Sequence, residues 1–377
     1  MSGPLVGLKV LELAGIGPSP YACMLLADLG ADVLRIERGS ADAEATETWD
    51  LLNRSRYSVA VDLKSSAGRG LVLELCEQAE VLIEGFRPGV TERLGLGPDE
   101  VFSRNPQLVY GRMTGYGQIG PLSQHSGHDI NYIAVSGALW PIGRRDQPPV
   151  PPLNFVGDFG GGALFLVFGV LAAVLSARSS GEGQVVDASM VDGSASIMAM
   201  THSLLNNGYW QEERGVNFLD GGAPFYDVYA TKDAKFVAVG AIESKFYSNL
   251  VRGLDLDPAA LPPQFDRATW PDVKERFSAL FITKTRDEWT DHFADLDACV
   301  SPVLSPREAV NHPFNTARDV FVTDGVIQPQ PAPRFSKTPG QIRQPPQQPG
   351  SGTRDGLVSW GISDERQALL RSAGAFF

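Results

Sequence analysis

The side chains best suited to chemistry in this sequence are a histidine and an aspartate near the middle of the chain. His128 lies in the segment GHDINY, and Asp158 lies in the segment NFVGDFGGG. Between them, residues 144–152 read RRDQPPVPP, which is too rich in proline for a helix or a central strand and therefore predicts a surface loop. Such a loop returns to the body of the protein, so His128 and Asp158 can be neighbours. An imidazole and a carboxyl group that face one cleft can each take up or release a proton, as a proton transfer without a cofactor requires.

The same two residues also have a structural explanation, and it is the more common one. A core histidine usually satisfies hydrogen bonds, and an aspartate in front of a helical segment usually caps that helix. From these two residues alone, the structural explanation therefore ranks first.

The elements that must position these residues alternate between strands and helices. Apolar periodicity predicts strands at 9–13, 31–37, 58–63, 81–84, 108–113 and 184–188, and helices at 21–29, 65–78, 98–104, 159–177 and 190–205. Strand, helix and strand at this spacing predict parallel pairing with right-handed crossovers. We therefore expect a doubly wound α/β domain whose ligand site lies at the carboxyl ends of the strands.

The composition changes after the last of these helices. Glycine and asparagine are frequent at 206–223, two alternating strands at 225–230 and 235–241 predict a hairpin, and helices with one more strand complete a small α+β domain. Prolines and glutamines then predict an extended segment. The predicted organisation is a large domain, a linker, a small domain and a return linker, at residues 1–205 with 328–377, 206–223, 224–320 and 321–352, respectively.

The composition also limits the class of partner. The chain carries 32 basic and 44 acidic side chains, and a net charge of −12 argues against a nucleic-acid or anionic-membrane partner. Three separated cysteines without a CxxC motif predict neither disulfides nor a zinc site, and the start lacks a signal sequence, so we expect a reducing cytoplasm. The apolar run at 163–177 is short and interrupted by glycine, which predicts a buried helix rather than a membrane span.

A glycine-rich turn follows the first strand but does not predict a dinucleotide. Gly15 and Gly17 match part of the dinucleotide-binding motif, yet the third glycine is missing and two prolines occupy the turn. A tight turn into a helix is the better interpretation. Basic residues at or beyond the predicted strand ends leave room for a phosphorylated ligand, because guanidinium groups suit phosphate: Arg38, Arg54, Arg56, Lys64, Arg87 and Arg93.

Several motifs together resemble the family III CoA-transferase superfamily and, within it, the α-methylacyl-CoA racemases. The matching segments include LGADV at 29–33, RIER at 35–38, FRPG at 86–89, GHDINY at 127–132 and GAIE at 240–243. Each segment is weak alone, but together they are specific and cover nearly the whole chain. The resemblance reverses the ranking above, because it implies that His128 and Asp158 are the acid/base pair.

The resemblance also implies roles for other residues and for a second subunit. Glu243 would orient the histidine, and the same pocket would be lined by Asp129, Tyr132, Asn154 and Tyr226. Contacts with CoA would come from Arg38, Val61, Lys64, Arg87 and Arg93. The implied assembly is an interlocked homodimer in which each subunit is a ring threaded through the other, and Glu243 would serve a site made with His128 of the partner subunit.

The implied reaction is the interconversion of (2R)- and (2S)-2-methylacyl-CoA thioesters, in fatty-acid and lipid metabolism, without a metal or redox cofactor. One base removes the α-proton, and an acid on the opposite face returns a proton to the enolate. We expect the backbone N–H of Asp129 at a helix start to bind the enolate oxygen. Asp158, beside another helix start, is expected to hold its charge, and Glu243 is expected to keep His128 readily protonated.

Two other functions stay open at this point. A family III CoA transferase would form an acyl-aspartyl anhydride at Asp158, and a non-catalytic protein would bind acyl-CoA without exchanging anything. The transferase branch lacks the histidine and glutamate pair, so the presence of His128 with Glu243 favours the racemase.

Overall fold

The structure is a computed structural model and describes residues 2–38 and 50–376. The chain divides into two compact units. The first comprises Met1–Ser136, Leu153–Ile197 and Asp319–Phe377, and the second comprises Gly137–Pro152 and Met198–Arg318.

The described strands and helices are numbered in chain order. The strands are β1 (Lys9–Leu13), β2 (Asp32–Glu37), β3 (Tyr57–Ala60), β4 (Val81–Glu84), β5 (Val109–Thr114), β6 (Val185–Ser189), β7 (Tyr226–Ala230), β8 (Phe236–Gly240), β9 (Val300–Pro302), β10 (Phe321–Val322) and β11 (Gln328–Pro329). The α-helices are α1 (Pro18–Asp28), α2 (Ser66–Cys76), α3 (Val90–Arg93), α4 (Pro98–Arg104), α5 (Asp129–Val135), α6 (Leu164–Ser180), α7 (Met190–Ile197), α8 (Ala199–Asn206), α9 (Ser244–Gly253), α10 (Trp270–Phe281), α11 (Arg286–Phe293), α12 (Pro306–Val310), α13 (Pro313–Ala317), α14 (Thr353–Ser359) and α15 (Asp364–Ser372). A π-helix at Phe155–Ala163 runs directly into α6, and single 3-10 turns lie at Leu51–Asn53, Pro258–Ala260 and Arg267–Thr269.

The first unit is built on a six-stranded parallel sheet in the order β3-β2-β1-β4-β5-β6. The central strand β1 pairs with β2 and β4, so that Val10 lies opposite both Val33 and Val81. Strands with helices on both faces are buried on both sides and therefore carry nearly continuous apolar runs. The strand order reverses between β1 and β4, which is where such sheets open a crevice for a ligand. The predicted doubly wound architecture is confirmed.

Helices cover both faces of this sheet. One apolar cluster contains Leu26 of α1 with Leu166 and Val170 of α6. The cluster on the other face contains Leu71 of α2 and Leu370 of α15. The C-terminal helix therefore packs on the first unit, as predicted.

The long apolar helix differs from its prediction. The π-helix and α6 form one continuous helix of 26 residues over Phe155–Ser180, and within it an 18-residue window has a mean hydropathy of 2.2 and is 39% buried. By length and composition alone it is sufficient to cross a membrane, so the prediction of a short, buried helix was wrong. The glycine that suggested a break, Gly169, lies within α6, where an added Cβ would lie 2.8 Å from a methyl carbon of Val186 in β6.

Another predicted helix is interrupted. Residues 190–205 form two helices, α7 and α8, which meet at Met198, where ψ is 1° instead of a helical value. The sequence around Met198 contains neither glycine nor proline, so no local helix breaker marks this interruption. The boundary between the two units falls at the same place.

The second unit contains the antiparallel sheet β7-β8-β9 with helices α8 to α13. The predicted hairpin is present as β7 and β8, with Tyr226 opposite Gly240. Its core is largely aromatic and includes Phe225, Trp270 and Phe281.

The observed division of the chain differs from the predicted domain boundaries. Residues 137–152 group with the second unit, because the Arg214 guanidinium donates to the carbonyl oxygens of Trp140 at 2.7 Å and of Gln147 at 2.6 Å. The predicted linker at 206–223 also belongs to this unit, where the Asp220 carboxylate accepts from the backbone N–H groups of Gly215 and Asn217 at 2.9 and 2.8 Å.

The return segment follows the edge strand of the first unit. The N–H of Ser55 donates to the carbonyl of Gln344 at 2.9 Å, and the Gln344 amide donates to the carbonyl of Arg56 at 2.7 Å. Further along, the N–H of Gly350 donates to Oγ of Ser58 in β3 at 2.6 Å. The segment thus covers a sheet edge that would otherwise present free backbone groups.

Candidate active site

A cleft of about 560 Å³ opens at the carboxyl ends of β1, β4 and β5 in the first unit. Its walls include the turn Gly15–Ser19 after β1, the segment Gly85–Pro88 after β4 and the segment Thr114–Tyr116 after β5. His128 and Asp158 both line it. The two residues that the sequence singled out therefore share one cleft, at the place that the doubly wound fold predicts.

His128 stands at the start of α5. It is the residue before the first helical turn, with φ −131° and ψ 176°, and its side chain is exposed. Its N–H donates to Oδ1 of Asn131 at 3.1 Å, and its carbonyl accepts from the N–H of Asn131 at 2.8 Å. These two bonds fix the backbone that carries the imidazole.

Asp158 lies in the first turns of the π-helix and is half-buried. Oδ2 of its carboxyl group accepts from Nδ2 of Asn154 at 3.3 Å. Burial raises the pKa of Asp158, and the Asp129 carboxylate adds to this rise, whereas the Asn154 hydrogen bond and His128 oppose it. Burial therefore outweighs the stabilisation of the charge that its place near a helix start predicts.

Gly17 approaches the same carboxyl group from the opposite wall. Its φ is +71°, and a Cβ at this position would lie 3.3 Å from Oδ2 of Asp158. Both the turn geometry and the contact favour glycine here. The turn that resembled part of a dinucleotide-binding motif thus forms the wall of the cleft beside Asp158.

Asp129 joins the segments that carry the two candidate acid/base groups. It is 5% exposed, and its Oδ2 accepts from the backbone N–H groups of Gly157 at 2.6 Å and Asp158 at 2.7 Å. Its Oδ1 is buried and has no hydrogen-bond partner among the described residues. The start of α5 is therefore bonded to the start of the π-helix, a role that the sequence did not predict for Asp129.

Tyr132 lines the cleft, as predicted, and supports this arrangement. Its hydroxyl donates to the carbonyl of Gly127, and its ring packs against Gly115, where a Cβ would lie 2.0 Å from a ring carbon. The ring of Tyr116 meets it edge-on at 5.0 Å. Burial raises the pKa of Tyr132 to about 12, with smaller contributions from Tyr116 and Asp158, so the hydroxyl stays protonated at neutral pH.

The residues predicted to contact CoA are spread over the first unit. Arg87 is exposed and lines the cleft. Arg38, Lys64 and Arg93 are exposed, whereas Val61 is buried with 1% exposure.

Two of the basic residues considered for phosphate are structural. The Arg54 guanidinium is buried against the Asp28 carboxylate at 2.6 Å, and Arg56 is buried in an ion pair with Glu12. Their charges are compensated inside the first unit, which excludes them from the phosphate role.

The other predicted site residues belong to the second unit. Tyr226 is the first residue of β7 and is half-buried. Glu243 is exposed immediately before α9, and its carbonyl accepts from the N–H of Tyr247 at 2.9 Å.

Sequence reasoning overlooked several residues of the cleft, including Gly17, Tyr116 and His125. His125 stands three positions before His128, which was the available signal. In the described ranges 2–38 and 50–376, no group of three or more histidines, cysteines, aspartates or glutamates could hold a metal ion.

Comparison with known sequences decides the family. The profile described as CoA-transferase family III matches residues 5–354. The chain belongs to CoA-transferase family III. Among family III relatives, the chain is 44% identical over 372 residues to the alpha-methylacyl-CoA racemase of Mus musculus, covering 98% of this chain and 96% of that protein. It is 41% identical over 372 residues to the alpha-methylacyl-CoA racemase of Homo sapiens, with the same coverage of 98% and 96%.

A solved structure agrees with the family III fold. The crystal structure of a CAIB/BAIF family protein from Brucella suis superposes with a TM-score of 0.83 and covers 96% of this chain and 100% of that one. The two are 22% identical, so this likeness concerns the fold alone. The predicted family III fold class is confirmed.

Proposed function

We propose that this family III protein interconverts (2R)- and (2S)-2-methylacyl-CoA thioesters by 1,1-proton transfer. The observation that carries the proposal is that His128 and Asp158 line one cleft and that Asp129 bonds the segments carrying them. The racemase names of the mouse and human relatives supply the reaction class and the substrate.

The reaction needs two groups on opposite faces of C2. The base takes the α-proton, and the electron pair of the broken C–H bond passes into the enolate of the thioester. The other group, in its acid form, then gives a proton to the opposite face of C2. A single base would return the proton to the face from which it came, so inversion requires both His128 and Asp158.

The environment of Asp158 suits this exchange. A carboxyl group whose pKa is raised by burial is a better proton acceptor once charged, and it is more often available as an acid near neutral pH. We assign the enolate oxygen to the backbone N–H of Asp129, the first residue of α5, because an early helical N–H has no partner within its own helix. No metal or redox cofactor takes part in this scheme.

Arg87 is the cation of the cleft wall and is assigned to the CoA moiety. Arg38, Lys64, Val61 and Arg93 stay assigned to CoA by family resemblance. Asn154 donates a hydrogen bond to the Asp158 carboxyl group. Tyr226 and Glu243 stay assigned to the site by family resemblance, with Glu243 serving His128 of the partner subunit.

The assembly in this proposal is an intertwined homodimer in the cytoplasm, active in fatty-acid and lipid metabolism and independent of nucleic acid and membrane. An apolar stripe along α6 supports a protein contact: Leu164, Phe168 and Leu175 are 50%, 72% and 70% exposed. A stripe of this kind is typical of an interaction surface. A mass measurement in solution that gives a monomer would contradict the homodimer.

The function is tested by incubating one C2 epimer of a 2-methylacyl-CoA in D2O. We expect inversion at C2 together with incorporation of deuterium, and we expect Asp158→Asn and His128→Gln each to lower the rate by at least about 100-fold. Asp187→Asn and His202→Gln are matched controls, because neither residue lines the cleft, and both should retain the rate.

Other outcomes identify the alternatives. Acyl exchange that requires an added free acid, with a hydroxylamine-sensitive adduct on Asp158, would instead assign a CoA transferase. Binding of the thioester with neither deuterium exchange at C2 nor acyl exchange would show that the protein is a non-catalytic acyl-CoA binder.

A further inference from the structure

A second imidazole lies in the same cleft and has no part in the proposed reaction. His125 is exposed and lines the cleft together with His128, Asp158 and Arg87. Its position three residues before His128 places it before α5, in the segment that leads to Gly127.

Hydrogen bonds fix the loop that carries His125 beside the loop that carries Arg87. Nε2 of Gln124 donates to the carbonyl of Pro88 at 3.2 Å, so the neighbour of His125 is bonded to the neighbour of Arg87. The N–H of His125 donates to the carbonyl of Leu122 at 2.8 Å, which closes a turn within the loop. The imidazole and the guanidinium therefore belong to adjacent walls of one cleft.

The permanent positive charge that faces His125 in the cleft is too small to balance a ligand with several phosphate groups. The titratable and charged groups that share the cleft with His125 come from the loop after β4, the segment after β5, the start of α5 and the π-helix, and they are Arg87, Tyr116, His128, Tyr132 and Asp158. Arg87 is the one permanent cation among these described groups, and the Asp158 carboxylate opposes it.

We propose that His125 binds the diphosphate of the CoA moiety together with Arg87 and takes up a proton when CoA binds. The inference rests on the proposed function, because it requires that the cleft accept a CoA thioester. An imidazolium is stabilised by a phosphate within hydrogen-bond reach, and it donates a charge-assisted bond that neutral imidazole supplies less well. CoA binding and protonation of His125 therefore favour each other.

This linkage gives CoA binding a pH dependence of defined sign. Imidazole titrates near pH ~6.5 in the absence of neighbours, and a group whose pKa rises on binding tightens the complex at low pH. We expect the Kd of CoA to increase about five-fold between about pH 6 and pH 8.

The experiment is calorimetric titration of the full-length protein with CoA at these two pH values, in buffers with different ionisation enthalpies. The protein should take up protons on binding, and His125→Gln should lose this uptake and the tightening at low pH. His202→Gln, an exposed histidine of α8 outside the cleft, is the matched control and should behave as the parent protein. 3′-Dephospho-CoA, which retains the diphosphate, should preserve the uptake, and pantetheine, which has no phosphate, should lose it.

Three other results would each reject one part of the proposal. Equal proton uptake by the parent and His125→Gln would reject the role of His125 while leaving the proposed function intact. Loss of the uptake with 3′-dephospho-CoA would reject the diphosphate as the ligand group. Failure of the parent protein to bind CoA at either pH would reject the proposed function itself.

Discussion

Two neighbours, Asn154 and Gly17, lie next to the Asp158 carboxyl group. Asn154 donates the hydrogen bond that favours its charged form, and Gly17 leaves the space in which Oδ2 lies. Burial acts against the charged form and is the largest influence on the pKa of this group. Small changes in either neighbour should therefore alter catalysis without altering the acid/base groups themselves.

Asn154→Ala should move the pH profile of the proposed reaction upward. Because the Asn154 bond lowers the pKa of Asp158, its loss raises this pKa further above the value in an unfolded chain. The charged carboxylate is lost as pH falls through the folded-state pKa. For the epimer that Asp158 deprotonates, the acidic limb of kcat/KM should shift to higher pH, and for the other epimer the alkaline limb should shift in the same direction.

The measurement is the rate of deuterium incorporation from each pure epimer across a pH series. Asn131→Ala, which removes the bond to the His128 backbone instead, is a useful comparison. If Asn154→Ala moves neither limb, the hydrogen bond has no influence on the proton transfer.

Gly17→Ala should lower turnover through contact with Asp158. The new methyl group would lie 3.3 Å from Oδ2 at a φ of +71°, so it both strains the turn and displaces the carboxyl group. Gly208→Ala is the matched control, because its φ is +72° and no described atom lies within 4 Å of an added Cβ. Both changes should cost about 1 kcal/mol of unfolding free energy.

Only Gly17→Ala should also reduce kcat, by about ten-fold. Thermal unfolding and steady-state racemisation measure the two effects. Equal kcat values for the two variants would show that Gly17 does not position Asp158.

The shared cleft of His128 and Asp158 was predictable from the sequence, but the hydrogen bonds that support the two residues were not. A proline-rich loop with reactive residues at both ends indicates that the ends meet, which is how His128 and Asp158 were found. The bonds from Asp129 to the backbone of Gly157 and Asp158 depend on π-helical winding, and neither of the usual apolar periods signals that winding. The burial of Arg54 and Arg56 likewise depends on carboxylates distant in the chain.

At the scale of elements, the π-helix and α7 form the rear wall of the site. Their backbones approach closely: a Cβ on Gly193 would lie 1.8 Å from the carbonyl oxygen of Gly161. A Cβ on Gly161 would in turn lie 2.6 Å from the N–H nitrogen of Ser194. Glycines in these helices therefore serve contact between helices and not flexibility.

Gly193→Ala should separate α7 from the π-helix. A methyl group that overlaps a backbone carbonyl cannot be accommodated by side-chain movement, so we expect a loss of at least about 2 kcal/mol of unfolding free energy. Gly70→Ala, in the interior of α2 with no described atom within 4 Å of an added Cβ, should instead stabilise the protein by about 0.5 kcal/mol.

Denaturant unfolding of the two variants tests this contrast, and the racemisation rate shows whether the rear wall affects the site. A stable Gly193→Ala protein would mean that the two helices have room to move apart.

The strands β1 and β4 match their predicted bounds because short apolar runs between turns are unambiguous. The end of α7 at Ile197 was not predictable, since neither glycine nor proline follows it.

At the scale of the whole molecule, the return segment closes the first unit. The buried Arg54 pairs with Asp28, and it also donates to Oε1 of Gln328 at 2.8 Å and to the carbonyl of Pro329 at 2.9 Å. One guanidinium thus connects α1 with the strand β11 at the start of that segment.

Arg54→Met should destabilise the first unit and loosen the return segment. Removing one partner of a buried ion pair leaves an uncompensated charge on Asp28 and costs about 3 kcal/mol or more. Arg104→Met is the matched control, because the Arg104 and Glu77 side chains are 55% and 44% exposed and exposed pairs contribute less than about 1 kcal/mol.

Hydrogen exchange should show faster exchange at residues 328–347 in Arg54→Met and unchanged exchange there in Arg104→Met. Unchanged exchange in both variants would show that Arg54 does not hold the return segment in place.

The division of the chain was predictable only in part. Alternating strands indicated the parallel sheet, and a change of composition indicated a second unit. The sequence at 137–152 gave no sign that it belongs to that second unit, because a proline-rich loop has the same composition wherever it docks. Its place depends on bonds such as those from Arg214 to Trp140 and Gln147.

The π-helical winding of Phe155–Ala163 makes chain length itself a determinant of the site. Each residue of an α-helix advances the side-chain direction by about 100°, and the wider π-helical turn advances it by less. Deleting one residue after Asp158 would therefore rotate its carboxyl group away from the imidazole while leaving α6 anchored. Insertions and deletions should therefore be far less tolerated in this short segment than substitutions of equal size, even at its glycines.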